Sequence, residues 1–496
     1  MHSSSVSRVV RFVNHTNKHR VTASHHFRYV HNAAVTQEDT VKPYDEIPRV
    51  TSNLVTIVDF ARKKYSNAKF HEFLQNRVSE YGDIYVENIG YSGEKVYTAN
   101  PDDWKILYNQ DTKDQPAQRE SFWAFAKYHR MRGLPRPLFD LDDAEWHRRK
   151  EALRSLLIPR EVAKVVPKYV DITNDFIDFL EGNLTRNNTR VVEDYHRSLS
   201  RWTFECAGMT VFQERFGMLQ EYENIDETVK MFYEANLDLI DRWCLLETGS
   251  LHHRIMSTDL WKEFVKTSDD TFKAASIFLN KSKQHIVDPD ASLDEVESLV
   301  LAVDVLRAGI DTVSNVAIWA TIELSNNPHI QEKLYEELKT ALGDSEITSS
   351  TLQKLPYLRA CLKEVHRTRP LFPIQSRMTL RDVVLSGYHV PSGTNVAPLL
   401  GFYNKERYFK SHDEFQPERW LRSNEDKGNH HPYAILPFGH GPRSCIGRRI
   451  AENQLLLYLA KLVLKYKICP TKDYNTRYAF FVVPEGPVDM KFEKRN

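Results

Sequence analysis

The sequence lacks an excess of charge, a cysteine pattern and a long apolar run, and each absence excludes a class of protein. Its 67 Lys and Arg residues match its 67 Asp and Glu residues, so no bulk charge draws it to nucleic acid. Its 5 cysteines are widely spaced without a C-x-x-C pair, which argues against a disulfide framework or zinc ribbon and favours a reducing compartment. The longest strongly apolar run, residues 455–464, is about half of what a bilayer-spanning helix requires, so we expect no membrane span.

The first 37 residues lack Asp and Glu but contain several Arg and Lys residues. Four valines between positions 6 and 13 would share one helical face, with Arg8 and Arg11 opposite to them. Such an amphipathic, acid-poor segment is typical of a mitochondrial transit peptide, whereas the alternative is a histidine-containing basic tail that contacts anionic lipid or RNA. We predict a transit peptide and linker over 1–44. Residues 45–496 are predicted to form one domain, because no flexible linker follows.

Periodicity in this body predicts a mainly α fold with small β-sheets. Alternating apolar residues over 81–99 indicate a hairpin, and 382–396 resemble two short strands joined by a turn. Helical periodicity is longest over 292–328, where Ser292 is the predicted N-terminal cap and Pro328 ends the helix. A helix of this length crosses the whole molecule.

One cysteine, Cys445, stands among glycines and arginines in the segment LPFGHGPRSCIGRRIAENQ. A thiolate stays ionised near a helix N-terminus, cations, backbone N–H donors or a metal, and this segment could supply all four. The glycines allow the backbone to turn tightly beneath a sulfur, and helical periodicity begins directly afterwards. A lone thiolate without a partner histidine suits an axial haem ligand better than zinc, which takes three or four protein ligands. The alternative is a structural cysteine beside a glycine-rich turn.

The spacing F-x-x-G-x-R-x-C-x-G at this cysteine resembles the haem-binding motif of the cytochrome P450 family, and the resemblance extends over nearly all of the predicted domain. It implies a long central helix over a haem b whose iron is ligated by the thiolate of Cys445. It also implies that Arg443 pairs with a haem propionate and that Phe438 packs near the sulfur. Gly441 and Gly447 complete the motif.

A second motif matches the same family in order and context. Glu364 and Arg367 stand three apart in KEVHR, as in the family's E-x-x-R pair. The resemblance implies that they join Arg419, of the segment FQPERW, in a structural lock that supports the haem-binding core. An E-x-x-R pair alone is more commonly a solvated helix pair, so its weight comes from its place in the chain.

The long helix contains the segment AGIDT, residues 308–312, which is similar to the family's oxygen-activating signature. The resemblance implies that Gly309 leaves room for dioxygen, that Thr312 supplies a hydrogen bond and that Asp311 relays protons through water. Many relatives have a second Thr here, whereas this chain has Val313 and then Ser314, so the resemblance does not carry the details of proton delivery over to it. The alternative is a packed helix with incidental polar residues.

The two haem carboxylates also need cations. Trp146 and Lys150, in AEWHRRK, stand where the family usually has Trp and Arg, and Arg377 matches the family arginine after the variable substrate-facing segment. Lys keeps the charge of Arg but loses its bidentate fork. Either cation would otherwise be an ordinary surface residue.

Further segments resemble the mitochondrial, ferredoxin-dependent class of the family, namely WTFECAGMTVFQERFG and the GRRIAE after the cysteine. Arg359 and Lys363 stand where members of that class place two cations that bind their ferredoxin. With Arg448 and Arg449 they would form a local basic patch that attracts an acidic partner. The alternative is ordinary solvated helix charge.

The resemblance thus implies a monooxygenase that takes electrons from a mitochondrial [2Fe-2S] ferredoxin and its NADPH-dependent reductase. It would use O2 to hydroxylate a lipophilic, sterol- or steroid-like substrate, as a peripheral protein on the matrix side of the inner membrane. Two alternatives are a haem-thiolate isomerase or dehydratase and a non-catalytic haem-binding sensor. The segments expected to face the substrate are 123–139, the surroundings of Trp243, 371–375 and 480–481.

Overall fold

Seventeen helices form most of the described chain. The computed structural model describes residues 41–50, 70–88, 93–112, 122–141, 143–186, 189–237, 239–248, 252–282, 293–343, 347–400, 405–422 and 430–495. Most of the predicted transit peptide, residues 1–40, lies outside these ranges. The helices are α1 (Phe70–Tyr81), α2 (Pro101–Tyr108), α3 (Trp123–Arg132), α4 (Asp143–Ala152), α5 (Arg154–Leu157), α6 (Pro159–Arg186), α7 (Tyr195–Phe212), α8 (Glu227–Leu237), α9 (Leu239–Thr248), α10 (His252–Ile255), α11 (Asp259–Lys281), α12 (Glu295–Asn326), α13 (Pro328–Leu342), α14 (Ser349–Gln353), α15 (Pro356–Thr368), α16 (Lys405–Tyr408) and α17 (Arg448–Lys465).

Short strands form four small sheets at the edges of this helical body. In the largest the order is β1-β2-β7-β4, with β2 and β7 parallel and the other pairs antiparallel; the remaining sheets are β3-β11-β8, β5-β6 and β9-β10. The strands are β1 (Ile84–Glu87), β2 (Lys95–Thr98), β3 (Val191–Val192), β4 (Arg377–Met378), β5 (Val383–Leu385), β6 (Tyr388–Val390), β7 (Asn395–Pro398), β8 (Tyr466–Pro470), β9 (Thr476–Ala479), β10 (Phe481–Pro484) and β11 (Met490–Lys494).

Both strand predictions are confirmed. β1 and β2 pair antiparallel with Val86 opposite Val96. β5 and β6 form a tight hairpin in which Leu385 faces Tyr388, and the two residues of the turn have positive φ, including +84° at Gly387. A two-residue turn of this kind needs left-handed backbone, which glycine adopts without strain.

The start of the long helix differs from the prediction. Asp294, rather than Ser292, caps α12: the Glu297 N–H donates to the Asp294 carboxylate at 2.7 Å, and the Glu297 carboxylate accepts from the Asp294 N–H at 3.2 Å. Ser292 itself lies outside the described residues. The segment SLDEVE contains two overlapping capping boxes of equal spacing, so the pattern alone does not select between them. The end at Pro328 is as predicted, and that proline begins α13.

The two halves of α12 lie in different apolar cores. Residues 300–303 and Ile310 pack with α3, α7, α8, α9 and α11, whereas 313–324 pack with α6, α7, α13, α15 and α17. A helix that apolar side chains surround on all sides is buried in the core of its domain. Between the two buried stretches, Ala308 is exposed and Gly309 is only partly buried. The predicted oxygen-activating segment, residues 308–312, therefore lies where the two cores meet.

No helix in the described ranges has both the length and the apolar character that a bilayer span requires. The apolar run at 455–464 lies within α17, where Leu455 to Ala460 are buried in the protein core. Protein side chains, rather than lipid, cover this run.

Candidate active site

The loop before α17 places the Cys445 thiol beside the first turn of that helix. Across the loop, the Cys445 N–H donates to the carbonyl of Phe438 at 2.8 Å. Gly439 and Gly441 adopt left-handed φ values of +68° and +74°, which a residue with a side chain rarely adopts. A Cβ on Gly447, the N-cap of α17, would lie 4.0 Å from the Cys445 sulfur. The sulfur is therefore near the positive end of a helix dipole, which favours its ionised form.

Two cations meet at the ring of Trp146, on α4, beside this loop. The Arg443 guanidinium lies 4.5 Å and the Lys150 ammonium 4.4 Å from the ring centroid. Lys150 also donates to the Pro442 carbonyl at 3.0 Å. Burial and the charge of Arg443 lower the pKa of Lys150 from its ordinary value. Two like charges held this close favour a bound anion, so the arrangement fits one haem carboxylate.

Arg377, on β4, supplies a third buried cation. Its guanidinium lies 4.9 Å from the ring centroid of Tyr108, and its Nη1 donates to the Ser376 carbonyl at 3.0 Å. Its Nε and Nη2 are buried without a hydrogen-bond partner in the described part of the chain. Buried guanidinium groups are normally saturated with hydrogen bonds, so these two donors fit a second carboxylate.

The loop and Arg377 are joined through neighbouring polar side chains. Tyr108 donates its hydroxyl to the Gln375 Oε1 at 3.1 Å, and a Cβ on Gly439 would lie 3.5 Å from that same oxygen. A Cβ on Gly441 would lie 3.5 Å from the Tyr108 carbonyl. The thiol and the three cations therefore lie in or beside the same loop. Together these groups fit an anionic metalloporphyrin with a thiolate ligand.

On α12 the predicted oxygen-activating residues lie on a partly exposed stretch in the middle of the helix. The Thr312 hydroxyl donates to the Ala308 carbonyl at 2.6 Å, and the Asp311 carbonyl accepts from the Asn315 side chain at 2.8 Å. Among the residues that the structure describes, a Cβ on Gly309 would meet only Ala207 Cβ, at 3.8 Å, so packing against α7 does not require the glycine. The absence of a side chain at Gly309 therefore leaves room for a small ligand beside the helix.

The Cys445 loop also reaches this helix. Ile446, the residue after the cysteine, packs in the same apolar cluster as Leu306 and Ile310 of α12. The residue after the cysteine and the helix with the predicted oxygen-activating residues thus share one apolar cluster.

The predicted lock residues form one hydrogen-bonded network around Glu364, whose side chain is fully buried. Its carboxylate accepts from Arg367 Nε and Nη2 at 2.9 and 2.8 Å, and from Arg419 Nε at 3.0 Å. The Trp420 indole and the Gln416 N–H donate to it as well, each at 2.8 Å. Both oxygens of the Glu364 carboxylate thus accept hydrogen bonds, as a buried charge requires.

One contact that the sequence motifs do not predict joins the Glu364 network to the Cys445 loop. His366, next to Arg367 on α15, packs edge-on against Phe438, with ring centroids 5.4 Å apart. Burial, with a smaller contribution from the charge of Arg448, lowers the pKa of His366 to about 4. The imidazole is therefore neutral at physiological pH and packs as an uncharged ring against Phe438.

The four predicted docking cations are all exposed and come from two helices that pack together. Arg359 and Lys363 lie on α15, where Arg359 donates to Gln353 Oε1 at 3.1 Å. Arg448 and Arg449 lie in the first turn of α17; Arg448 pairs with Glu452 at 3.0 Å and Arg449 donates to a backbone carbonyl. Arg448 also contributes to the lowered pKa of His366, so the start of α17 lies near α15.

The segments expected to face a substrate also come together. Trp243 lies 4.3 Å from Phe480 and 5.4 Å from Phe125, measured between ring centroids. Phe372 stacks edge-on against both Phe480 and Phe481, at 5.5 and 5.0 Å. Aromatic side chains from four distant segments thus form one apolar wall, as a site for a lipophilic molecule requires.

Comparison with known proteins agrees with this geometry. The sequence profile of the family "Cytochrome P450" matches residues 48–492. The chain is 28% identical to probable cytochrome P450 12a5, mitochondrial, of Drosophila melanogaster over 91% of each chain. It is 28% identical to cytochrome P450 10 of Lymnaea stagnalis over 92% of this chain and 86% of the relative. It is 30% identical to the mitochondrial 1,25-dihydroxyvitamin D(3) 24-hydroxylase of Rattus norvegicus over 86% of this chain and 84% of the relative.

Members of this family are monooxygenases that bind haem b through a cysteine thiolate. The mainly helical fold with small separate sheets is that of the family. The chain belongs to the cytochrome P450 family, in its mitochondrial class.

Proposed function

We propose that this monooxygenase holds haem b on Cys445, receives electrons from a [2Fe-2S] ferredoxin and hydroxylates a sterol-like substrate. The observation that carries the haem assignment is the thiol at the start of α17 with Arg443, Lys150 and Arg377 around its loop. Arg443 and Lys150 bind one propionate beside Trp146, and Arg377 binds the other. Phe438, backed by His366, keeps water from the sulfur.

With haem bound, α12 would supply the groups that handle protons. When bound, haem supplies the iron that activates dioxygen. Gly309 leaves space beside the helix, and the Thr312 hydroxyl, which now donates to the Ala308 carbonyl, turns to donate into that space. Asp311 is partly buried, so its carboxyl can pass protons inwards from water.

Replacing Arg377 by methionine tests the role of the unpartnered guanidinium. The substitution removes a charge-assisted hydrogen bond of about 1.5–3 kcal/mol, so we expect haem affinity to fall about 10- to 100-fold. The thermal midpoint of the haem-free protein should rise, because an unpaired buried charge is lost. Arg381→Met, at an exposed position of the same segment, is the control. Unchanged haem affinity in the Arg377 variant would remove it from the propionate site.

Electrons reach this site from the face that carries the docking cations. Lys363 and Arg359 are exposed one turn apart on α15, and Lys363 lies 5.8 Å from the ring of Trp420, beside the Glu364 network. Arg448 stands directly after the Cys445 loop, so a partner bound to this patch lies close to the ligand sulfur. An acidic ferredoxin complements this local basic patch on a chain with no net charge.

Charge reversal at Lys363 tests the docking surface. Lys363→Glu should slow reduction by ferredoxin about tenfold at low ionic strength, with the difference shrinking as salt is added. The absorption spectrum of the haem should not change. Lys262→Glu is the matched control. This exposed lysine lies on α11, whose apolar side chains pack in the core around the first half of α12. Equal reduction rates for Lys363→Glu and the unaltered protein at low salt would rule out this surface.

The substrate class rests on the relatives and on the aromatic wall. Two of the relatives are named as 1,25-dihydroxyvitamin D(3) 24-hydroxylases. The wall around Trp243 and Phe480 offers rigid apolar area that suits a fused-ring or secosteroid skeleton. We therefore propose that the substrate packs against this aromatic wall.

We also propose that residues 1–44 are a transit peptide and linker, and that residues 45–496 act as one domain at the matrix side of the inner membrane. The mitochondrial names of the relatives support import. Ile255 and Met256 are 75% and 62% exposed, and Met131 lines a surface depression with Lys262 and Lys266. Exposed apolar residues of this kind suit peripheral contact with a membrane surface.

A further inference from the structure

Arg307 is a charged side chain in the middle of the central helix, one residue before the exposed Ala308. Its guanidinium points between α3 and α11, 5.8 Å from the ring centroid of Phe125 and 5.7 Å from that of Phe272. The side chain as a whole is partly exposed, but its Nε and Nη2 are buried and have no hydrogen-bond partner in the described part of the chain. Such a group needs an explanation, because buried donors are almost always paired.

The charges around Arg307 do not neutralise it. Asp304, one turn earlier, is committed to the Leu138 N–H, which donates to it at 2.7 Å, and burial raises its pKa to about 7. Burial therefore makes this carboxyl an incomplete counter-ion for Arg307 at neutral pH. Tyr128 donates its hydroxyl to Asp269 at 3.0 Å. Burial lowers the pKa of Arg307 to about 10, so it keeps its positive charge.

Packing does not account for the charge either. Contacts with two aromatic rings at nearly 6 Å are at the outer limit of a cation–π interaction and leave the N–H groups unpaired. A methionine or leucine at this position would fill the same space without burying a charge. A ligand can supply the missing partner, and the neighbouring side chains indicate where such a ligand would lie.

Those side chains belong to the wall that faces the substrate. Phe125 lies 5.4 Å from both Trp243 and Phe139, measured between ring centroids. Ala308, which follows Arg307, begins the oxygen-activating segment. Arg307 thus lies at the boundary between the substrate wall and the groups that handle oxygen.

The unpaired atoms also define the chemistry of the partner. Nε and Nη2 form one edge of a guanidinium and bind the two oxygens of a carboxylate side by side. In this protein Arg367 uses the same two atoms to hold the carboxylate of Glu364, at 2.9 and 2.8 Å. We propose that Arg307 binds a carboxylate of the substrate, so that the enzyme acts on a lipophilic acid. This inference rests on the proposed function and narrows its substrate class.

Equilibrium binding of matched acids and esters to the haem-loaded enzyme tests the inference. A cholanoic acid is compared with its methyl ester, and hexadecanoic acid with its methyl ester, by the shift of the haem Soret band and by the thermal midpoint. The unaltered enzyme should bind at least one acid about tenfold or more tightly than its ester. Which acid does so distinguishes a sterol acid from a fatty acid.

Arg307→Met should remove this preference while leaving the affinity for the ester unchanged. Its thermal midpoint without ligand should rise, and the increase that the acid causes should disappear. Arg130→Met, at an exposed position of α3, should retain the preference. If Arg307→Met does not hold haem, Arg307→Gln replaces it in the same comparison.

Three results would overturn the inference: no preference for either acid in the unaltered enzyme, the same preference in the Arg307 variant, or no binding of either acid. None of these measurements uses ferredoxin. A failure of the proposed electron-transfer function would instead appear as an absence of turnover while acid binding is intact.

Discussion

Replacing Cys445 by serine abolishes the thiolate-type spectrum of the reduced carbon monoxide complex. A serine hydroxyl keeps its proton at neutral pH even at a helix N-terminus, so it cannot provide the anionic ligand that the site requires. Turnover should fall to the background of the assay. The measurement is the difference spectrum of the purified, reduced protein with and without carbon monoxide.

A second cysteine provides the control for this result. Cys469, on β8, is partly buried and lies away from the loop, so Cys469→Ser should leave the spectrum unchanged. An unchanged spectrum in Cys445→Ser would contradict the ligand assignment, whatever the effect on turnover.

Replacing Glu364 by glutamine should lower the free energy of unfolding by about 3–5 kcal/mol. The amide cannot satisfy both Arg367 and Arg419, and Arg367 is completely buried, so its charge is left without a counter-ion. A loss of this size is a large fraction of the stability of an ordinary domain, and we expect much of the protein to be recovered without haem. Urea unfolding of the two proteins under the same conditions measures the difference.

Glu336→Gln is the control for this prediction, because that side chain is exposed on α13. It should change the free energy of unfolding by less than about 0.5 kcal/mol. If Glu364→Gln were as stable as this control, the network would not be the structural lock that its geometry indicates.

Local patterns made much of the fold and the candidate site predictable. The β5-β6 turn is set by one glycine with positive φ, and the E-x-x-R spacing places Glu364 and Arg367 on one helical face. The Cys445 loop is recognisable for the same reason, since its glycines, its arginine and the helix after it are contiguous in sequence. These features depend on neighbours within a few residues of one another.

Features that depend on distant residues could not be predicted in this way. The parallel pairing of β2 with β7 joins Val96 to Val396, and the sequence contains no local signal for that partner. The contact of His366 with Phe438 likewise depends on how α15 packs against the Cys445 loop. From the sequence alone, Arg307 is an incidental charge in an apolar helix. Only the structure shows that two of its buried nitrogen atoms have no hydrogen-bond partner among the described residues.

One experiment tests the central claim most directly: turnover of a bound sterol-like substrate with NADPH, ferredoxin and its reductase under oxygen-18 gas. The account predicts a hydroxylated product that carries one labelled oxygen atom and that does not form when ferredoxin is omitted. A product without the label, or one formed equally well without ferredoxin, would contradict it.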